Sequence, residues 1–298
     1  MDADEIEKYV KAGKIGKEAK ELAKKLVKIG EADINVAEEI EDFILSKVGK
    51  SGGLAFPVTV CVNEIAAHKT PDPQKPYAFK KGDVVKVDLG VHIEGYIADT
   101  ALTIDLGNNA DLLAANELAL EKAIESIKKN KNFGEVGKTV EQTMKTKGYM
   151  PITNLAGHQI RRFNLHAGAS VPNCETTDWS KFQKGEAYAI EPFATNGVGL
   201  VVGGAEGGIM KVQKPEAKPR LESARAVLNY IVDTFGVFEF SKRRVLKKYP
   251  DAQMLLELLK KDGVLYEYPI LKEKSGVLVS QFEETILILD GKVIMTTE

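Results

Sequence analysis

Two cysteines in 298 residues, Cys61 and Cys174, are too few for a disulfide framework. Both read as small buried hydrophobes in a reducing compartment. No stretch approaches 18 uninterrupted apolar residues, which excludes a membrane-spanning helix. The acidic, helical start, Met1–Val10, lacks the apolar core of a secretory signal, so a soluble cytoplasmic chain with no membrane partner is expected. A charge excess is missing as well: 41 Lys and Arg stand against 43 Asp and Glu. No overall field therefore favours nucleic acid, and no specific nucleic-acid partner is expected. Histidine is scarce, with four in the chain, and no short-period repeat is visible. The length permits a sizeable core in one large domain or two.

What is present is an α+β pattern. Ile6–Ile29 carries helical apolar spacing (Ile6, Val10, Ile15, Ala19, Leu22, Leu26) and stops at Gly30. Asn35–Val48 reads as a second helix ended by Gly49. Ala55–Val62 reads as a strand, and Thr70–Pro76 is rich in turn residues. Two more helices are expected at about 110–129 and 136–147. Strand and loop follow from Tyr149 to Val202, with Ala187–Phe193 the clearest strand.

Val84–Val91 and Tyr96–Ile104 read as two strands joined by a turn at His92–Gly95. A hairpin symmetric about that turn sets Asp88 opposite Asp99 on one face, between apolar flanks. Like charges so placed repel, and two buried carboxylates this close need a shared proton or a cation. A one-residue slip of register, or exposure at a sheet edge, would dissolve the pair, so the hairpin alone leaves the matter open. Further candidates tip it toward metal. His158 and His166 lie eight residues apart in weakly apolar sequence. Glu191 ends an apolar strand, and Glu283 falls within the apolar run Val277–Leu289, where an unpartnered carboxylate is rare. Glu284, beside it, is expected to face solvent. Carboxylates with one imidazole and no thiolate suit two divalent ions such as Mn, Fe, Co or Zn. Such a pair activates water for hydrolysis of a carbonyl or phosphoryl bond.

Residues 207–270 read as an insert: a helix at Leu221–Phe235, a basic stretch, a helix at Ala252–Lys260 and a strand at Leu265–Leu271. Helices followed by a β-wing resemble a small winged-helix module. Lys242, Arg243, Arg244, Lys247 and Lys248 would then meet phosphates. The run is short and diluted by Asp251, Glu257 and Asp262, which favours a solvated face on a structural subdomain.

The segments Gly53–Pro71, Val87–Thr103, Gly157–Pro172, Ala189–Thr195 and Ser280–Leu287, taken together and in order, resemble the methionine aminopeptidases over nearly the whole chain. The long stretch between Glu191 and Glu283 resembles the insert of the type II branch, and the short lead into the core resembles archaeal members. The resemblance implies a pita-bread fold, with two similar antiparallel-sheet halves flanked by helices (residues 1–206 and 271–298) and the insert at 207–270. It implies that Asp88 binds one metal ion, His158 and Glu191 the other, and that Asp99 and Glu283 bridge them. The water held between the ions would remove the initiator methionine by attack on the first peptide carbonyl. Glu191 would handle the water proton, His166 the substrate carbonyl oxygen and His68 the scissile amide. Phe56, Pro57, Leu165, Phe193 and Tyr268 would line a methionine-sized pocket. His92, in the expected turn, carries no role. Where many type II relatives carry a further histidine, this chain has Gly207-Gly208-Ile209. The substrates implied are N-terminal Met peptides and nascent chains, taken by a monomer with a ribosome contact in prospect. The same fold also serves aminopeptidase P and prolidase, and a non-catalytic RNA- or ribosome-binding homologue; the intact ligand set counts against the last.

Overall fold

The computed structural model describes residues 1–298. Helix α1 (Ala3–Leu26) opens on a capping box in which the Asp2 carboxylate accepts from the Glu5 backbone N–H and Glu5 accepts from that of Asp2. With α2 (Asp33–Val48) it covers an antiparallel sheet of β1 (Gly52–Val62), β3 (Val84–Ile93) and β4 (Tyr96–Asp105), β2 (Ile65–Ala67) branching off between them. Helical spacing puts Ala12, Ile15, Ala19 and Ala23 on the buried stripe of α1. They meet the Val and Leu side chains on one face of the sheet.

The second half repeats the plan. Helices α3 (Ala110–Lys128) and α4 (Phe133–Thr146) pack on strands β5 (Met150–Pro151), β6 (Ala156–Ile160), β7 (Ser170–Pro172), β8 (Ala187–Ile190) and β9 (Phe193–Thr195). The chain then leaves through β10 (Val201–Val212), α5 (Glu222–Phe235), β11 (Phe240–Ser241), α6 (Lys242–Lys248), α7 (Gln253–Lys261) and β12 (Leu265–Glu273). It returns as β13 (Val279–Gln281), β14 (Glu284–Leu289) and β15 (Lys292–Met295), in the sheets β13-β9-β5 and β15-β14-β8-β6-β7. Two antiparallel-sheet halves flanked by helices make the pita-bread arrangement that the sequence resemblance implies.

The halves are stitched together between β4 and residues 281–285. The Thr285 hydroxyl accepts from the Asp99 N–H and donates to its carbonyl, both at 2.8 Å. The Thr100 hydroxyl donates to the Glu283 carbonyl, and that of Thr103 to the Gln281 carbonyl. A single backbone bridge, Ala101 to Glu283, joins the halves here beside these hydroxyls, and the expected single strand over Val277–Leu289 is broken at Phe282-Glu283. The other expected strand, Ala187–Phe193, is likewise broken at Glu191-Pro192.

Residues 207–270 build their own core from Met210, Val227, Leu228, Ile231, Phe240, Leu256 and Leu259. Their sheet runs β11-β10-β12-β2 and so ends on a strand of the first half. Positions 207 and 270 fall inside β10 and β12, which pair with one another from Val201 to Val212. The basic stretch forms a helix of its own, α6. Arg243 does not face phosphate as the winged-helix reading had it. It is buried, and its guanidinium donates to Glu41 of α2 and to the Thr70 hydroxyl. Lys242 is paired with Glu257.

Candidate metal centre

The hairpin that supplies the first two carboxylates turns at Glu94-Gly95 alone, with φ of 51° and 87°. Positive φ at both central residues is the tight-hairpin geometry, and glycine makes the second one inexpensive. His92 therefore lies in β3 rather than in the turn; its ring stacks on Phe238 at 4.2 Å. This shorter turn moves the register by two residues from the symmetric expectation: Asp88 faces Ala101, and Asp99 faces Gly90. A shift of two keeps the face, so Asp88 and Asp99 are diagonal neighbours instead of direct opposites and still point to one side.

His158 arrives on β6, beside Ala189 of β8. Its Nε2 lies 3.5 Å from Asp99 Oδ2 and 3.6 Å from Glu191 Oε1. Glu191 sits in the break between β8 and β9, where the Asn173 side chain donates to its carbonyl. Glu283 sits in the break between β13 and β14. Donor atoms of Asp99, His158 and Glu283 lie within 4.8 Å of one another. The Gln281 amide donates to Asp88 Oδ2 at 3.1 Å and to Glu283 Oε2 at 3.2 Å. That leaves Asp88 Oδ1, Asp99 Oδ1 and Glu283 Oε1 buried without a hydrogen-bond partner. Uncompensated buried carboxylate oxygens are costly, and bound divalent cations would satisfy them.

The electrostatics agree. Burial first, then repulsion by the neighbouring carboxylates, holds Asp88, Glu191 and Glu283 well above the usual carboxylate range. Asp99 is pushed up to about 8, by burial and then by Glu239. Burial pulls His158 down to about 4, leaving a neutral imidazole with a lone pair to give.

These shifts have a measurable consequence. In the metal-free protein, folded Asp99 keeps a proton that the unfolded chain releases near 3.8, so stability falls as pH rises from there to about 8. The depressed histidines act oppositely, adding stability up to pH 6.5. Lys86, lowered to about 7 by burial, adds more above that. Comparison with Asp99→Asn cancels the contributions of His92 and Lys86, which do not touch Asp99. It also relieves the repulsion Asp99 exerts on Asp88, Glu191 and Glu283, which acts in the same direction. We expect this variant to raise the melting temperature of the metal-free protein, and by more at pH 8 than at pH 6. Equal increments at the two pH values would contradict the assignment.

A cavity of about 90 Å³ opens on the cluster. Asp88, Asp99, His158, Glu191, Glu283, His68 and His166 all line it, and so do Phe56, Leu165 and Tyr268. Two expected pocket residues do not. Pro57 faces a separate cavity of about 670 Å³, and Phe193 lines an adjoining recess of about 280 Å³ beside His158 and Glu191. Pro57 follows Phe56 along β1 and so points the other way, while Phe193 opens β9 just after the break at Glu191-Pro192. Four lining residues were missed from sequence: Thr59, Ala67, Ile209 and Glu239. Glu239 carried a signal that could have found it, an acidic residue between Phe238 and Phe240. Glu284, expected at the solvent face, accepts instead from Lys20 of α1 and from the Thr297 hydroxyl.

His68 holds a left-handed backbone, with φ of 65°, a conformation that surroundings must impose on a non-glycine residue. Gly207 imposes it. A Cβ there would stand 1.8 Å from the His68 carbonyl oxygen, and the Gly207 carbonyl accepts from the Thr70 N–H. We expect Gly207→Ala to push His68 out of place and to cost about 1–3 kcal/mol, as overpacking commonly does. Denaturant unfolding together with peptide cleavage checks this; native stability and native rate would show that the close approach is dispensable.

A sequence model of metallopeptidase family M24 matches residues 7–226. The methionine aminopeptidase of Methanocaldococcus jannaschii is 41% identical over 301 residues, covering 100% of this chain and 100% of that one. Among solved structures, a thermophilic Arx1 matches with a TM-score of 0.85 at 18% identity, over 99% of this chain and 91% of that one. The methionine aminopeptidase of Thermotoga maritima matches with a TM-score of 0.72 at 24% identity, over 100% of this chain and 98% of that one. At those identities the two structures speak for the fold alone. The family model and the full-length relative speak for descent: the chain belongs to metallopeptidase family M24, on the branch of the archaeal methionine aminopeptidases.

Proposed function

We propose that this chain hydrolyses the first peptide bond of new proteins and peptides, releasing the initiator methionine. The reading rests on one observation above the rest: four carboxylates, three of them with an unpaired buried oxygen, share a small cavity with an imidazole and several apolar side chains. Family membership brings use of divalent metal. Two ions fit this donor set better than one, because five side chains offer more oxygen and nitrogen donors than a single tetrahedral ion takes. Asp88 would hold one ion, His158 and Glu191 the other, with Asp99 and Glu283 between them; Mn, Fe, Co and Zn all suit such ligands. When bound, the ions supply Lewis acidity that makes water a nucleophile near neutral pH.

The chain's own side chains do the rest. Glu191, at the cavity wall, takes the proton of the attacking water and returns it to the leaving amine. His166 packs tilted against His158, ring centroids 4.4 Å apart, and donates to the substrate carbonyl oxygen as charge builds there. His68, braced by the Tyr268 ring at 5.5 Å, holds the scissile amide. Phe56, Leu165, Tyr268 and Ile209 surround the methionine side chain. Residues 207–270 act as an insert that carries one wall of this pocket: Met210 and Phe240 turn into its own core, while Ile209 turns to the cavity. We read the enzyme as a cytoplasmic monomer acting on nascent chains. A ribosome contact through residues 242–248 has little support, since Arg243 is buried and Lys242 is paired.

The test uses chelated, desalted protein reloaded with Mn, Fe, Co or Zn and offered Met-Ala-Ser, Leu-Ala-Ser, Ala-Pro-Ala and N-formyl-Met-Ala-Ser. Metal-dependent release of methionine from the first, with the formyl peptide untouched, is expected. Cleavage of the Ala-Pro bond instead would move the chain to the X-Pro branch. Folded protein inert with every metal would favour a binding protein.

A further inference from the structure

Glu239 has no part in the chemistry above, yet it lines the cavity and is only 6% exposed. It is not a further metal ligand. Its Oε1 is held away from the cluster by Lys211 Nζ at 2.9 Å and the Tyr268 hydroxyl at 3.1 Å. Its other oxygen accepts no hydrogen bond from the protein. It is also the only residue common to the linings of the 90 Å³ cavity and the 670 Å³ cavity, which places it between the two. The remaining wall on this side is Phe56, Leu165, Ile209 and the Tyr268 ring. A pocket that takes methionine along its apolar residues and carries a hydrogen-bond acceptor in the same lining can also pair with a side chain whose tip donates. Covering a carboxylate oxygen with a methyl group costs its solvation and returns nothing.

We propose that Glu239 sets the specificity of this pocket, admitting beside methionine an N-terminal side chain of the same length with a neutral hydrogen-bond donor at its tip, glutamine being the match. The inference rests on the aminopeptidase reading above. A neutral tip is favoured over a cationic one because Lys211 already balances the charge of Glu239. Leucine carries no donor to offer Glu239. Methionine sulfoxide presents an acceptor to an acceptor and is rejected. A site built around a buried hydrogen-bonding group discriminates strongly between a side chain that pairs with it and one that does not.

The experiment measures kcat/KM of metal-loaded native enzyme, Glu239→Leu and Glu239→Gln on Met-Ala-Ser, Gln-Ala-Ser and norleucyl-Ala-Ser. Norleucine has methionine's length without any polar atom. Native enzyme is expected to cleave the glutaminyl peptide. Glu239→Leu is expected to lower the glutamine-to-norleucine ratio by about 10- to 100-fold, the range of one hydrogen bond to a charged acceptor. Glu239→Gln keeps an acceptor oxygen and should fall between. The ability of free L-glutamine and L-norleucine to raise the melting temperature of each protein should rank the same way without turnover. Native enzyme that cleaves the methionyl and norleucyl peptides but not the glutaminyl one would overturn the proposal, as would a ratio unmoved by Glu239→Leu. If that variant does not fold, the native comparison and Glu239→Gln decide. Failure to cleave Met-Ala-Ser with any metal sinks the activity reading itself, a result distinct from a wrong selectivity.

Discussion

Asp99→Ala and Glu283→Ala are each expected to abolish stoichiometric metal retention and methionine release, while Glu284→Ala is expected to leave both in place. Asp99 and Glu283 are buried, carry oxygens with no partner in the protein, and meet at the seam between the two halves. Removing either deletes a ligand that the remaining four side chains cannot replace. The rate should fall by at least the roughly 10²–10³ that one preorganised stabiliser of the transition state supplies. Glu284 differs only by its face: it pairs with Lys20 and Thr297, away from the cavity. Its removal costs stability through that lost pairing. Metal content after desalting and the rate on Met-Ala-Ser are the two readouts. A Glu284→Ala variant as inactive as Glu283→Ala would show that the strand presents the other face.

Arg243→Ala is expected to destabilise the protein by about 3–5 kcal/mol, the cost of leaving one member of a buried ion pair without the other. Glu41 is 3% exposed, and its carboxylate accepts from the Arg243 guanidinium and from the Val58 backbone N–H. Burial pushes the Glu41 carboxyl up while Arg243 pulls it down, so without the arginine it would bury a proton or a bare charge. The pair ties α6 of the insert to α2 of the first half, which makes it the main polar clamp holding the insert wall over the cavity. The double variant Glu41→Gln, Arg243→Met should recover most of the loss, because neither partner is then left charged. Chemical denaturation of the three proteins measures this. A double variant no more stable than Arg243→Ala would show that the arginine acts through its packing alone.

Much of this was legible in the sequence, and the limits are physical. Asp88, Asp99, His158, Glu191 and Glu283 were singled out because carboxylates and imidazole in apolar surroundings need a partner, and the fold brings all five to one cavity. Helix positions followed from apolar spacing to within a few residues. Register did not follow, because whether the turn holds two residues or four depends on the backbone of Glu94 and Gly95. The error was harmless only because a shift of two preserves the face. Strand continuity was misread at Glu191 and Glu283 for a related reason. An apolar run looks unbroken, yet a ligand side chain at a sheet break gains an approach to the cavity that a ladder position lacks. Pro57 and Phe193 were misplaced because the facing of pocket residues is settled by the bulged pairing of β1 with β3 and by the break after β8. The burial of Arg243 was out of reach, since its partners Glu41 and Thr70 come from distant elements.

The measurement that bears most directly on the account is anomalous diffraction from crystals of the manganese-loaded protein. Two peaks are expected among Asp88, Asp99, His158, Glu191 and Glu283, with Asp99 and Glu283 touching both. Peaks at the other acidic group, Glu206, Glu257 and Glu267, where Lys260 already supplies the cation, or no peak in the cavity at all, would contradict it.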